Sequence, residues 1–282
     1  MSNPKITIVT ATYNLIANGR EKTFKQCVES VHNQTYKNFE HLIIDGASTD
    51  GTLDLIKEYE NKGWIKSFSE PDKGIYDAMN KGLAKASGDY IAFLNSDDFY
   101  DNNAGFAGVI ETFKNNPDAD YVCSAYHLLK TNGVSKLCSP KLYRVICRMP
   151  ICHQTMFTKT EILKKFGGFD LQYKLAADYD FILKLALLNY KPAVCPVTFT
   201  TFREGGASCQ YEEKSNQEVL KILQQNYLMT EKEAKFSIRN KTLPLKYMPR
   251  VKTLSNYLTY KDYLFYYFKS LVKTVENLFT KD

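Results

Sequence analysis

The stretch 87-SGDYIAFLNSDD-98 passes from a small-residue turn into an apolar run, Tyr90 to Leu94, and ends on two adjacent carboxylates, Asp97 and Asp98. A short apolar run bounded by turn residues reads as a buried strand. Upstream of it, residues 75–85 have the spacing of a helix, 65–69 of a strand and 52–59 of a second helix. Residues 41–45 read as a strand, 23–33 as a helix with Phe24, Cys27, Val28 and Val31 on one face, and 5–11 as a β-branched first strand. Strands alternating with helices predict an α/β fold, a Rossmann-like, mostly parallel sheet flanked by helices. In such sheets the ligand crevice lies outside the carboxyl ends of the strands. Three polar loops are expected there, at 10–14, 45–50 and 95–98, so three strands aim polar groups at one place.

Beyond Asp98 the pattern is less regular. Residues 121–125 read as a strand, 160–166 as a short helix ended by Gly167 and Gly168, and 177–188 as a helix with Asp178 and Asp180 in its first turn. Residues 194–202 read as a last strand before the Gly205-Gly206 turn. The charge balance shifts near 211–215, which divides the chain into a body, 1–215, with halves of about 1–98 and 99–215, and an extension, 216–282.

The chain has 282 residues, 44% apolar and 24% charged, which places it among ordinary globular proteins. Its net charge of +6 belongs entirely to the extension, where 12 Lys and Arg face 6 Asp and Glu, against 25 and 25 in residues 1–215. A neutral body does not provide the basic face of a nucleic-acid clamp. Seven cysteines without a CxxC spacing suit buried thiols in a reducing compartment. The N-terminus carries no secretory-signal pattern and no stretch has the length of a membrane span, so a cytoplasmic protein is expected.

Asn95-Ser96-Asp97-Asp98 suits a hard divalent cation, Mg²⁺ or Mn²⁺, which takes one or two carboxylates together with substrate phosphate oxygens; the same pair also suits a turn or a helix cap. The small-residue loop 45-DGASTDGT-52 lets backbone N–H groups approach a ligand, or caps the helix that follows it. Neither GxGxxG nor GxxxxGK[ST] is present.

The motifs VTATYN (9–14), IIDGASTDGT (43–52), EPDKGIYDAMNKG (70–82), SGDYIAFLNSDD (87–98) and AADYDFILKL (176–185) stand in the order and spacing of family 2 glycosyltransferases with the GT-A fold. The resemblance covers about residues 4–210, and the long EPDKGIYDAMNKG form is similar to the branch that builds bacterial O-antigen and capsule repeats. It implies a UDP-sugar donor. The loop of Thr10, Ala11, Tyr13 and Asn14, with Asp45 and Ser48, resembles the uridine pocket, Tyr13 lying near the base and Asp45 accepting from its N3–H. Asp97 corresponds to the ribose contact and Asp98 to the metal ligand on the diphosphate, with Lys73, Gly74, Asp77 and Asn80 beside the diphosphate and sugar. Asp178 stands where the family has its catalytic base. Two departures matter: Ser96-Asp97-Asp98 replaces Asp-x-Asp, and Ala177-Asp178 replaces Glu-Asp, with Asp180 as a competing acid two residues on.

The chemistry implied is attack by an acceptor hydroxyl, deprotonated by a carboxylate, on an anomeric carbon whose diphosphate leaving group is offset by a metal ion. Attack opposite the leaving group gives inversion and, from an α-linked donor, a β-linked product. His153 and Gln154 are candidates for acceptor contact or for structural hydrogen bonding. Arg203, Gly205, Gly206 and Ser208 resemble the family's closing segment and read as a lid. The choice of sugar and acceptor is expected in loops between about 104 and 157.

In the extension, Leu254, Leu258, Leu264, Phe265, Phe268, Leu271, Val272, Val275, Leu278 and Phe279 recur at helical spacing among five tyrosines and several lysines. This suits packing on the body, packing on a second subunit in a homo-oligomer, or contact with the anionic inner-membrane surface. Membrane contact fits the lipid-linked saccharide acceptor that the resemblance implies. The competing readings are an inactive sugar-nucleotide binding module, disfavoured by Asp178, and a sugar-1-phosphate nucleotidyltransferase. The latter normally has a Gly-rich basic loop where this chain has Thr10 to Asn14.

Overall fold

The computed structural model describes residues 3–205, 211–248, 256–257 and 260–279. The chain forms two compact units: Met1–Pro140 with Cys152–Lys174 and Ala193–Gly206, and Lys141–Ile151 with Leu175–Pro192 and Ala207–Asp282.

In the first unit the expected alternation is present as β1 (Ile6–Thr12), α1 (Glu21–His32), β2 (Phe39–Asp45), α2 (Thr52–Asn61), β3 (Lys66–Ser69), α3 (Ile75–Lys85) and β4 (Tyr90–Phe93). These four strands pair in parallel in the order β3-β2-β1-β4, with Thr12 of β1 in register with Asp45 of β2. Every residue of β1 but Ala11 is buried, as expected of a central strand covered on both faces. Phe24, Val28, Ile43, Ile56 and Tyr59 form one core under α1 and α2; Ile6, Ile8, Phe106, Phe157 and Phe199 form another.

The later part of the sheet is antiparallel. It comprises β5 (Phe99–Tyr100), β6 (Tyr121–Leu129), β7 (Ser135–Cys138), β8 (Phe157–Lys159) and β9 (Pro192–Arg203), which complete nine strands among the described residues. The helices α4 (Gly105–Asn115) and α5 (Thr160–Lys165) belong to this part. Two glycines explain why α4 is hard to read as a helix. A Cβ at Gly105 would lie 2.3 Å from the Phe199 ring, and one at Gly108 would lie 2.7 Å from Val197. Close packing on β9 therefore selects residues that helix propensity disfavours.

Away from the loops discussed below, Glu40 of β2 is buried, and burial alone would raise its pKa. Hydrogen bonds from Ser87 N and Oγ, Lys5 Nζ and Thr7 Oγ1 outweigh that and hold it at about 2. A depressed carboxylate contributes stability above its unfolded pKa and loses it as pH falls through the folded one. Glu40→Gln is therefore expected to lower Tm at pH 7, with the gap closing between pH 4.5 and about 2. Thermal melts across that range check this.

The second unit contains α6 (Ala177–Leu187), α7 (Glu212–Tyr227), α8 (Glu231–Asn240) and α9 (Tyr260–Phe279), with 3-10 turns at Leu142–Ile146 and Leu245–Tyr247. The helix α6 is buried nearly all round, through Tyr179, Phe181, Ile182, Leu183, Leu185 and Ala186. Glu218 of α7 accepts from Leu175 N at 2.8 Å and Ala176 N at 2.9 Å and so caps the start of α6. Thr230 and Glu233 form a reciprocal capping box on α8. The helices after Ala207 thus share a unit with 141–151 and 175–192. Leu254, Leu258 and the side chains of Leu278 and Phe279 lie outside the described residues.

Candidate active site

The loops after β1 and β2 are tied together by Asp45 and Ser48. The Asp45 carboxylate is buried and accepts four hydrogen bonds: from Thr12 Oγ1 at 3.1 Å and Ser48 Oγ at 2.5 Å on one oxygen, and from Ser48 N at 2.8 Å and Ser69 Oγ at 2.7 Å on the other. Ser48 Oγ in turn accepts from Asn14 N at 2.8 Å, and Asn14, in the left-handed region at φ 45°, accepts from Thr49 N at 3.1 Å. The acceptor positions of Asp45 are therefore filled by the chain itself. A base N3–H would have to displace one of these donors, the hydroxyls of Thr12, Ser48 and Ser69 being the ones able to turn away.

Above this buried knot Tyr13 is 60% exposed. A Cβ at Gly46 would lie 2.6 Å from Asp72 Oδ2 and 3.2 Å from Tyr13 Cδ2, so the absence of a side chain at 46 lets the Tyr13 ring and Asp72 converge. Ala11, the penultimate residue of β1, is half-buried. The Thr10 hydroxyl points elsewhere, to His41 Nε2 at 2.9 Å inside the sheet, because residue 10 falls on the inward side of the strand. Its backbone stays in the ladder opposite Ile43, before the loop begins.

The loop after β3 folds onto the start of α3. Asp72 Oδ1 accepts from Gly74 N at 2.8 Å and Asp77 Oδ2 accepts from Lys73 N at 2.9 Å, while the Lys73 side chain is exposed. Gly74 has φ 118°, which a residue with a side chain rarely adopts. Asn80 is engaged one turn further on: it donates to Phe169 O at 2.8 Å and accepts from Phe169 N at 2.7 Å. A ligand role for Asn80 would break that pairing, so the residue is placed as a tie between α3 and the Gly168-Phe169 turn. Asn80→Ala is expected to cost about 2 kcal/mol by leaving two buried backbone groups without partners, measured as a lower urea midpoint with unchanged slope.

At the end of β4, Asp97 and Asp98 are treated differently. Asp97 remains accessible and faces Arg20, Nη1 to Oδ2, at 3.7 Å. Asp98 is only 1% exposed; its Oδ2 accepts from Gln154 Nε2 at 2.7 Å and its Oδ1 from Arg203 N at 2.8 Å. Burial, reinforced by the Asp97 charge, pushes Asp98 up to about 7 despite those two hydrogen bonds. The Arg203 guanidinium spans the Asp97 carbonyl and Gln26 Oε1 and lies over the Phe99 ring at 4.7 Å. Gln154 is fixed from behind by Cys152 Sγ at 2.7 Å, and His153 begins the short 3-10 turn His153–Thr155.

The structure thus brings Asp97, Asp98, Gln154 and Arg203 into one cluster and Tyr13, Asn14, Asp45 and Ser48 into another. The ends of the neighbouring parallel strands β1, β2 and β4 carry these two clusters. Gly205 lies two residues after Arg203 with φ 108°; Gly206 and Ser208 lie outside the described residues. Asp178 and Asp180 belong to the second unit. Asp180 is buried, pairs with Lys184 at 2.6 Å and accepts from Asn226 at 3.3 Å, whereas Asp178 is half-buried and accepts from Tyr179 N at 2.9 Å. Of the two acids, Asp180 is committed to an internal ion pair. The sequence pattern alone does not assign Arg20 or Asp72 to the site. The turn in EPDKG carries a readable signal for Asp72 as a cap, and nothing in the loop around Arg20 marks it.

A divalent cation fits the acidic pair. A carboxylate oxygen with one hydrogen bond keeps a second lone pair, and a dication would offset both the burial of the Asp98 charge and the repulsion from Asp97 that raise its pKa. No group of three or more His, Cys, Asp or Glu side chains able to hold a metal occurs among the described residues. Most of the coordination sphere would therefore come from phosphate oxygens and water, as magnesium-type sites allow.

Residues 7–166 match Glycosyl transferase family 2. An uncharacterised glycosyltransferase of Mycobacterium tuberculosis is 32% identical over 192 residues, 66% of this chain and 71% of the relative. A PGL/p-HBAD biosynthesis glycosyltransferase of Mycobacterium bovis is 30% identical over 190 residues, 65% and 70% of the two chains. Among solved structures, Staphylococcus aureus TarS 1–349 in complex with UDP-GlcNAc superimposes with a TM-score of 0.64 at 20% identity over 90% of this chain and 80% of that one. The Pyrobaculum calidifontis mannosyltransferase PcManGT in complex with GDP-Man and Mn²⁺ gives 0.63 at 16% identity, over 100% and 77%.

Proposed function

The chain belongs to glycosyl transferase family 2, and from that premise we propose that it transfers a single hexose or N-acetylhexosamine from a UDP-sugar to a hydroxyl of a lipid-linked saccharide in bacterial surface polysaccharide synthesis. The observation that carries the reading is the Asp97-Asp98 pair at the end of β4, its second member clamped between Gln154 and the Arg203 backbone. In this reading the exposed Tyr13 ring stacks on the base, and Asp45 with Ser48 holds the loop in shape and exchanges a seryl hydroxyl for the base N3–H. Asp97 meets the ribose. Lys73 and the start of α3 receive the diphosphate, as a lysine and a helix N-terminus suit an anion.

Asp98 would hold Mn²⁺ or Mg²⁺, which when bound neutralises the charge developing on the leaving diphosphate. Asp178, which stands in the place of the family's catalytic acid and is half-buried at the start of α6, is proposed as the base that removes the acceptor proton. The reading includes inversion at the anomeric carbon and work at the cytoplasmic face of the inner membrane, the extension resting on its anionic surface; no described helix is long and apolar enough to cross it. TarS holds UDP-GlcNAc and PcManGT holds GDP-Man, which is consistent with a nucleotide-sugar donor; the choice of UDP rests on the motif resemblance. Incubation with α-linked UDP-sugars and an extract of lipid-linked saccharides tests the inverting step. A new β linkage, read from the anomeric proton coupling, is expected, and an α linkage would contradict the proposal.

A further inference from the structure

Within the second unit, three segments meet at Tyr266 of α9. The turn Leu142–Ile146 brings the Tyr143 ring to 6.0 Å from that of Tyr266. The segment after α8 is fastened by Thr242 Oγ1, which donates to Tyr266 O at 3.4 Å, and by Ser270 Oγ, which donates to Leu243 O at 2.6 Å. Each segment brings cations to the junction. Arg144 and Arg148 lie one turn apart, Arg148 N bonded to Arg144 O at 3.1 Å; Lys241 precedes Thr242; Lys269 follows Tyr266 by one turn.

No ion pair among the described residues involves Arg144, Arg148, Lys241 or Lys269, and the Nε atoms of both arginines are buried without a hydrogen-bond partner. Lys273, nearby on α9, is taken by Glu276 at 2.5 Å. Burial, with repulsion from Arg148, Lys241 and Lys273, holds the Lys269 ammonium below its usual pKa. The whole unit has 18 Lys and Arg against 10 Asp and Glu, whereas the first unit has 19 against 21.

The opposite side of α9 is apolar and open. Phe265, Phe268 and Val272, at helical spacing, are 60%, 58% and 52% exposed, with Tyr267 and Leu271 beside them at 38% each. The two features adjoin, since the Lys269 ammonium stands 5.8 Å from the Phe265 ring. Gathered like charges and unpartnered buried donors are both costly, and an anion with several acceptor oxygens offsets both. A soluble phosphate would leave the apolar stripe uncovered, whereas a lipid phosphate supplies hydrocarbon for it.

We propose that Arg144, Arg148, Lys241 and Lys269 bind the phosphate group of an anionic lipid while Phe265, Phe268 and Val272 enter the edge of the hydrocarbon. This deepens the membrane-surface part of the reading above and rests on it only for its biological setting, not for the binding itself.

Cosedimentation of the full chain with phosphatidylcholine vesicles, with and without phosphatidylglycerol, tests it without donor or acceptor, so its failure leaves the transferase reading standing. Binding is expected only to vesicles containing phosphatidylglycerol. Combining Arg144→Gln, Arg148→Gln and Lys269→Gln is expected to weaken it on the order of 100-fold, at about a factor of five per cation near a charged surface. Phe265→Ser with Phe268→Ser, at exposed positions where folding is not at stake, should also abolish cosedimentation. Equal binding to both vesicle types, binding to neither, or undiminished binding by either variant overturns the proposal. Titration with inorganic pyrophosphate separates the sources: pyrophosphate binding that the triple substitution removes, without vesicle binding, would assign the cluster to a soluble anion and overturn the lipid.

Discussion

Asp178→Asn is expected to lower kcat for sugar transfer by roughly 1,000-fold, within the range that general-base catalysis supplies, while leaving the dissociation constant for the UDP-sugar within about twofold. The substitution keeps the shape of the side chain and its hydrogen bond from Tyr179 N but removes its capacity to accept the acceptor proton. Asp180→Asn is the control. Its carboxylate is buried against Lys184 at 2.6 Å, so the loss should be of stability, about 2 kcal/mol for a hydrogen bond to a charged group, with turnover per folded molecule preserved. Single-turnover rates and urea unfolding of both variants check the assignment. Equal loss of turnover in the two would remove Asp178 from its proposed role.

The second large effect is expected at Asp98. Asp98→Asn should lower turnover on the order of 100- to 1,000-fold, the magnitude seen when one group stabilising transition-state charge is removed. It should also remove the difference between assays with Mn²⁺ and with chelator. The substitution is chosen to preserve the fold: the new amide can still accept from Arg203 N, and a flip of Gln154 presents Oε1 to the amide nitrogen. Metal titrations of donor binding read the effect directly. A variant that keeps full metal-dependent turnover would place the metal elsewhere.

The first half of the chain was legible because its strands are short apolar runs with polar loops at their ends. β1, β2 and β4 lie within a residue or two of the expected limits, and their carboxyl ends carry the motif loops. The second half obeys tertiary demands more than local pattern. α4 contains Gly105 and Gly108 because Phe199 and Val197 leave no room for a Cβ, and β7 shows no burial alternation because it is the exposed arm of a hairpin. The individual site residues divide in the same way. Tyr13, Asp97 and Asp98 are readable as loop residues, but sequence alone does not show that the Thr10 hydroxyl turns inward to His41 or that Asn80 is occupied by the Phe169 backbone. Nor does it reveal that Asp45 is saturated by Thr12, Ser48 and Ser69. Apart from Ser48, three residues from Asp45, those partners lie 24 to 89 residues away along the chain. The extension is legible as amphipathic, yet the cations that meet α9 come from residues 144 and 148, far away in sequence.

The measurement that bears most directly on the central claim is UDP release from a panel of UDP-sugars by the wild-type chain with Mn²⁺, Mg²⁺ or chelator. Slow hydrolysis with one donor, dependent on the metal and accelerated by a lipid-linked saccharide extract, is the expected result. Failure of every UDP-sugar to bind, by calorimetry in the presence of Mn²⁺, would contradict the account.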